Sequence, residues 1–224
     1  MHSKGMVIIM KSILIIGLGS YGRYAALKYM QLGHDVMVVD EDEEKVTEIA
    51  SRVTSAQIGD CTREEVLRSL GINSYDICVV SIGDNFQASL EITSMLKELG
   101  ASCVISMASK DNQAKFLLKV GADSVVYPNK DSAEHLAMRT GSRNVFEFLN
   151  LTSEVSIYEI PIPSKWIGKS IQEIDVRNKY GISILAIKVG NSITEVPNAD
   201  YTFVNSEDEH LIVMGKEKDI YKLK

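Results

Sequence analysis

The chain has 224 residues, of which 45% are hydrophobic and 24% charged, with a formal net charge of −6. That composition belongs to a globular chain long enough for one large unit and a smaller one. A net acidic chain has no general attraction for nucleic acid, so an anionic ligand has to be held locally by backbone amides or single arginines.

The apolar start, "MHSKGMVIIMKSILIIGLG", has the look of a secretory leader. Lys11 splits the run, however, and no small-residue cleavage site follows it. Residues 1 to 9 are open to reading as an upstream extension, because "MKSILIIG" is also a natural beginning. From residue 12 to about 150, apolar runs alternate with helical patterns. Strands are expected at 12–17, 35–40, 55–60, 75–83, 102–108 and 123–128, and helices near 21–32, 42–52, 62–70, 85–99, 110–120 and 131–149. Several strands are almost continuous in Val and Ile, as a parallel sheet covered on both faces requires. Gly33, Gly71, Gly100 and Gly121 are placed to stop helices. This is a doubly wound, Rossmann-like α/β pattern.

The regularity fails after "FEFLNL". The expected organisation is a nucleotide-binding domain over 1–150 and a small C-terminal α/β domain over 151–224. A short helix is expected to begin at Ser170, with Glu173 completing a capping box, and to end before Gly181. That helix start also explains "WIGKS", which mimics the end of a phosphate-binding Walker loop but has Pro163 where the loop needs glycine.

"GLGSYG" places Gly17, Gly19 and Gly22 at G-x-G-x-x-G spacing between a strand and a helix, and Asp40 ends the next strand. Gly17 allows the tight turn, Gly19 lets a pyrophosphate approach the backbone, and Gly22 lets helix and strand pack closely. The helix N-terminus favours phosphate, and Asp40 can accept from a ribose diol. Tyr24 and Lys28 have the Y-x-x-x-K spacing of a reductase, but they lie one turn past the phosphate loop and read as packing and surface. Cys61, Cys78 and Cys103 form no CxxC, and Cys78 and Cys103 lie in apolar runs, so the three read as reduced, which points to the cytoplasm. The four histidines do not cluster, and metal binding finds no support.

Nearly the whole chain resembles the regulator-of-potassium-conductance (RCK/KTN) family, above all the cytoplasmic subunits of Ktr and Trk potassium uptake systems. "IIGLGSYG", "GHDVMVVDEDEEKV", "GDCTREEVLRSLGI", "YDICVVSIGDNFQASLEIT", "GADSVVYPNKDSAEHLA" and "IGKSIQEIDVRNKYGISILAIKVG" carry the resemblance. It implies a non-enzymatic homo-oligomer, dimers assembled into an octameric ring, docked on the cytoplasmic face of a potassium-transporter membrane subunit and gating it in response to adenine nucleotides. Phosphates would sit at Gly17, Leu18, Gly19, Ser20, Tyr21 and Gly22, and ribose at Asp40, Glu41 and Asp42. Adenine would lie near Asp60 and Cys61. Ile82, Gly83 and Asp84 would line the site from the fourth strand, and Met107, Ala108 and Ser109 from the fifth.

Two positions depart from the pattern. Ser20 stands where such subunits commonly carry an Arg that reaches a terminal phosphate, and Asn129 where they often carry a carboxylate near a bound cation. ATP, ADP, AMP and NAD(H) therefore all stay open as ligands. In the tail the resemblance implies a second ligand, cyclic di-AMP, at Ile171, Val176, Arg177, Ser183 and Ile184. The alternatives to this reading are a small NAD-dependent oxidoreductase and a free-standing NAD(H)-responsive regulator.

Overall fold

Alternate residues of the first strand, β1 (Ser12–Ile16), enter opposite hydrophobic layers, which is what a continuous apolar run achieves when both faces of a sheet are covered. Leu14 and Ile16 join one layer, and Ile13 and Ile15 the other. Each buried side chain of this size contributes about 1.5–3 kcal/mol by leaving water. In this computed structural model the described residues are 9–141, 147–152, 154–190, 192–193, 197–204 and 209–223. The candidate extension at the N-terminus lies outside them except for residue 9.

The first unit follows the expected alternation. β1 leads to α1 (Ser20–Gln31), β2 (Asp35–Asp40), α2 (Glu43–Ala50), β3 (Ser55–Ile58) and α3 (Glu64–Ser69). Next come β4 (Ile77–Val80), α4 (Phe86–Glu98), β5 (Val104–Met107), α5 (Asp111–Lys119) and β6 (Ser124–Val126). All pairings are parallel, in the order β3-β2-β1-β4-β5-β6. This is the doubly wound arrangement, with the direction of winding reversing between β1 and β4. α1 stops as expected at Gly33, which has φ +82° and donates its N–H to the Met30 carbonyl.

The compact units divide between Asp131 and Ser132, inside α6 (Pro128–Gly141). The helix expected to reach residue 149 therefore needs correction. Pro128 occupies its first turn, where a missing N–H costs nothing, and the described helix closes at Gly141. Glu147–Asn150 is instead a strand, β7, paired antiparallel with β8 (Ser156–Pro161) in the register Phe148↔Tyr158. Ladder hydrogen bonds to β8 override the local helical spacing here, and the boundary expected near 150–153 falls within the second unit.

The second unit continues through α7 (Ile171–Ile174), α8 (Val176–Tyr180), β9 (Ser183–Val189), β10 (Ser192–Ile193), β11 (Glu209–Gly215) and α9 (Glu217–Ile220). Its sheet is antiparallel, ordered β10-β9-β11-β8-β7. Alternate β11 residues, among them Leu211 and Val213, pack with Trp166 and Phe203, as a sheet with one covered face requires. The expected capping box is present: Ser170 N–H donates to Glu173 Oε2 at 2.7 Å, and Glu173 N–H to Ser170 Oγ at 3.2 Å. The single helix expected from Ser170 to Gly181 is broken, because Asp175 adopts φ +54° and separates α7 from α8. Ile171, Ile174 and Arg177 accordingly do not share one continuous helical stripe.

Candidate functional site

A cleft of about 440 Å³ opens at the carboxyl ends of β1 to β4, where the winding reverses. Open α/β sheets hold ligands in this crevice, because the loops leaving adjacent strands part there. Gly17 takes φ +95° at the end of β1, and its N–H donates to the Val39 carbonyl of β2 at 2.8 Å. A Cβ on Gly22 would lie deep inside contact distance of the Gly17 carbonyl oxygen and of Ser81 Oγ. Gly22 thus permits the close passage of α1 past the strand end, which Ser81 Oγ ties by donating to the Gly17 carbonyl at 2.5 Å. Gly19 differs: an added Cβ would meet no atom within 4 Å, and the residue borders the cleft.

The helix ends around the cleft are not equivalent. Asp42 caps α2 by accepting from the N–H groups of Glu44 and Lys45, and Asn85 caps α4 by accepting from Ala88 N–H at 3.1 Å. α1 has Gly19 as its N-cap, no side-chain cap and no acidic residue in its first turn. Its first amides are left for another acceptor, and the helix dipole adds about half a positive charge there.

Asp40 is held in place by donors of its own chain. Its Oδ2 accepts from Leu18 N–H at 2.5 Å and its Oδ1 from Asp42 N–H at 2.9 Å. Lys45 Nζ lies 3.9 Å from Asp40 Oδ1 and 3.2 Å from Asp42 Oδ2. Hydrogen bonding to Lys45 holds the Asp42 carboxyl below its usual range, and Asp42 in turn raises the Lys45 ammonium. Asp60 Oδ1 accepts from Thr62 Oγ1 at 2.6 Å and from Thr62 N–H at 2.9 Å, which lowers the Asp60 pKa. Burial, followed by the charges of Asp60 and Asp40, pushes the Cys61 thiol up to about 12. The side chain is a neutral apolar wall, in keeping with a reduced thiol.

Of the residues singled out from the sequence, Gly17, Gly19, Asp40, Glu41, Asp60, Cys61, Ile82, Gly83 and Asp84 come together around this cleft. Leu18 contributes its N–H to Asp40 while its side chain is buried. Ser20 is exposed at the start of α1. Asp42 stands behind Asp40 as the α2 cap. Tyr21 turns the other way, into an apolar groove that it lines with Tyr24, Lys28 and Tyr29. Tyr24 and Lys28 are therefore on the groove side, and Lys28 Nζ bonds Gln31 Oε1 at 2.9 Å, consistent with packing and surface roles. Met107, Ala108, Ser109 and Asn129 do not line the cleft, although the Met107 methyl lies 2.8 Å from where a Gly83 Cβ would be.

Lys45, Thr62, Ser81 and Asn85 line the cleft and were missed. For Asn85 the signal was available, since an N-cap residue precedes the helical run "FQASLEI". For Lys45 it was the acidic stretch before it, which needs a cation nearby.

In the second unit Val176 is buried and Ile171 and Ile184 pack against its core, while Ser183 is half-buried. Arg177 is exposed on α8, and its side chain makes no hydrogen bond or ion pair among the described residues. Of the carboxylates close to it in sequence, Asp175 accepts from Asn178 and Glu173 serves the capping box. His210 is not isolated, since its Nδ1 lies 2.7 Å from Glu159 Oε1. Among the described residues no group of three or more His, Cys, Asp or Glu is placed to hold a metal ion. No helix among them is long and apolar enough to cross a membrane.

Comparison with known proteins gives a TrkA-N domain over residues 13–128 and a TrkA-C domain over 155–224. The chain belongs to the TrkA family. The TrkA-N match ends where α6 begins, and the TrkA-C match begins just before β8. Ktr system potassium uptake protein C of Bacillus subtilis is 40% identical over 210 residues, covering 94% of each chain. Ktr system potassium uptake protein A of the same species is 38% identical with the same coverage. The Vibrio alginolyticus protein A is 30% identical over 96% of this chain and 97% of that one. Among solved structures, the GsuK RCK domain shares the fold with a TM-score of 0.67 at 18% identity. It covers 97% of this chain, which spans 48% of that one. The expected resemblance and the two-part Rossmann-like architecture are both borne out.

Proposed function

We propose that the cleft binds an adenine nucleotide, and that the chain is a nucleotide-sensing regulatory subunit gating a separate potassium-transporter membrane subunit. The observation that carries this reading is the pairing of the uncapped α1 N-terminus with a pre-positioned Asp40. The first supplies donors for phosphate and the second an acceptor for a ribose diol. The near full-length relatives named as Ktr potassium uptake proteins support the transport role. Solved GsuK structures described as bound to NAD and to ADP support the ligand class.

The cleft serves binding without catalysis. Asp40 and Asp60 spend their carboxylates on neighbouring donors, Cys61 stays a thiol, and among the described residues of the cleft no base is oriented by a partner. The oxidoreductase alternative finds no favouring observation. The subunit would act at the cytoplasmic face of the membrane through its transporter partner, as a homo-oligomer built from dimers into a ring. Exposed Phe116, Leu118 and Leu136 on α5 and α6 are suited to subunit contact. We also propose a second ligand, cyclic di-AMP, in the TrkA-C domain through Arg177, whose side chain has no hydrogen-bond or ion-pair partner among the described residues.

Titration calorimetry with AMP, ADP and NAD tests the first site. Asp40→Ala should weaken binding by at least about tenfold, because a buried diol loses its charged acceptor. Asp40→Asn, which keeps one acceptor oxygen, should fall between the two. Circular dichroism must show both variants folded, since Asp40 also ties Leu18 and Asp42. Wild-type affinity in a folded Asp40→Ala protein would remove the assignment.

A further inference from the structure

We infer that the cleft selects adenine nucleotides of low phosphate charge, such as AMP or a dinucleotide with a diesterified pyrophosphate, over a nucleoside triphosphate. The inference deepens the nucleotide reading above and rests on it.

Four carboxylates, Asp40, Glu41, Asp60 and Asp84, line the cleft against one cation, Lys45. Lys45 is committed to the ribose end, 3.2 Å from Asp42 and 3.9 Å from Asp40. At the phosphate end the first helical residue is the neutral Ser20. Arg23, three positions further on, is paired with Glu48. What remains for an anion is the first turn of α1, with about half a positive charge. Asp84, two residues beyond the Ile82 side chain that abuts Gly17, adds a further negative charge to the cleft.

Every added phosphate brings another negative charge into this field. In AMP that number is small, and in NAD the nicotinamide cation cancels part of it. The preference concerns the free nucleotides, since a Mg²⁺ carried by the phosphates themselves would offset part of the triphosphate's charge. The selection is therefore electrostatic. It originates as much in the neutral side chain at Ser20 as in the carboxylates present.

The test is titration calorimetry of the full chain with AMP, NAD, ADP and ATP in EDTA at low and high salt. ATP should bind at least about tenfold more weakly than AMP or NAD at low salt, and the gap should narrow at high salt as repulsion is screened. Ser20→Arg should tighten ATP by about tenfold or more while changing AMP less than about threefold, since a guanidinium at the loop supplies a charge-assisted phosphate contact. ATP binding as tightly as AMP, or a gap indifferent to salt, would overturn the inference and leave the nucleotide site standing. Binding of none of the four would overturn the nucleotide reading itself, and the inference with it.

Discussion

Gly19 and Gly22 belong to one motif, yet their replacement by alanine should have opposite consequences. At Gly22 a methyl would collide with the Gly17 carbonyl oxygen and with Ser81 Oγ, and even the Gly17 carbonyl carbon would be 3.2 Å away. Ordinary contact needs about 3.5 Å, so the loop must retreat by roughly 1 Å or more. Overpacking of this kind costs about 1–3 kcal/mol. The strained Ser81–Gly17 hydrogen bond adds about 1 kcal/mol, and the better helix propensity of alanine offsets about as much. At about 2–4 °C per kcal/mol for a chain of this size, Gly22→Ala should lower the melting temperature by about 2–12 °C. Gly19 has φ −61° and ψ 177°, which alanine adopts freely, and open space where the methyl would go. Gly19→Ala should change stability by less than about 1 kcal/mol, yet on the proposed reading its methyl would stand in the path of the phosphate and should weaken nucleotide binding by at least about tenfold. Thermal melts read the first effect and calorimetry with AMP the second. A Gly19→Ala protein with wild-type affinity, or a Gly22→Ala protein with the wild-type melt, would refute the roles assigned to the loop.

Two further outcomes follow from the structure. Cys61 and Cys78, each held near 12 by burial, should resist a thiol reagent at pH 8, where such a thiol has about a thousandth of the thiolate of one at 9; the native chain should label at Cys103 alone and the urea-unfolded chain at all three cysteines. Because the folded thiols keep protons that the unfolded chain releases, their contribution to stability is full below about pH 9 and lost as pH rises toward 12; rapid native labelling of Cys61 would refute its burial. Arg177→Ala should abolish cyclic di-AMP binding and leave AMP binding unchanged, whereas a wild-type chain that ignores tens of micromolar cyclic di-AMP in calorimetry, about the weak end expected for a specific ligand, would remove the second site.

The first unit was legible because its central strands, above all β1 and β4, are buried on both faces and so spell themselves as Val and Ile runs, with Gly17 to Gly22 and Asp40 marking the strand ends. The polar residues of the cleft were less so. Ser81 and Thr62 act through bonds to the Gly17 carbonyl and Asp60, partners that only the folded chain brings within reach or orients. The second unit resisted reading for two different reasons. β7 is four residues long, and its strand character comes from β8 rather than from its own pattern. The break at Asp175 depends on a left-handed backbone at a non-glycine residue, and nothing in "QEIDVRN" distinguishes that aspartate from a helix-capping one.

Asp40 shows why such a site suits sensing better than turnover. Its two carboxylate oxygens tie the phosphate loop through Leu18 and the start of α2 through Asp42, and its own carbonyl accepts Gly59 N–H beyond β3 at 3.0 Å. On the reading proposed above, a ribose diol would bond to those same carboxylate oxygens, so occupancy would redistribute the two ties they hold, to the loop and to α2. An enzyme gains by keeping the group that grips substrate independent of the scaffold, because displacement there misaligns the reacting atoms. A regulator gains from the reverse: with the ligand's acceptor also serving as a structural tie, binding free energy is available to favour one arrangement of the loop and α2 over another. The size of that preference is bounded by the difference in affinity between the arrangements, so the Asp40 variants that weaken binding should weaken the regulatory response in step.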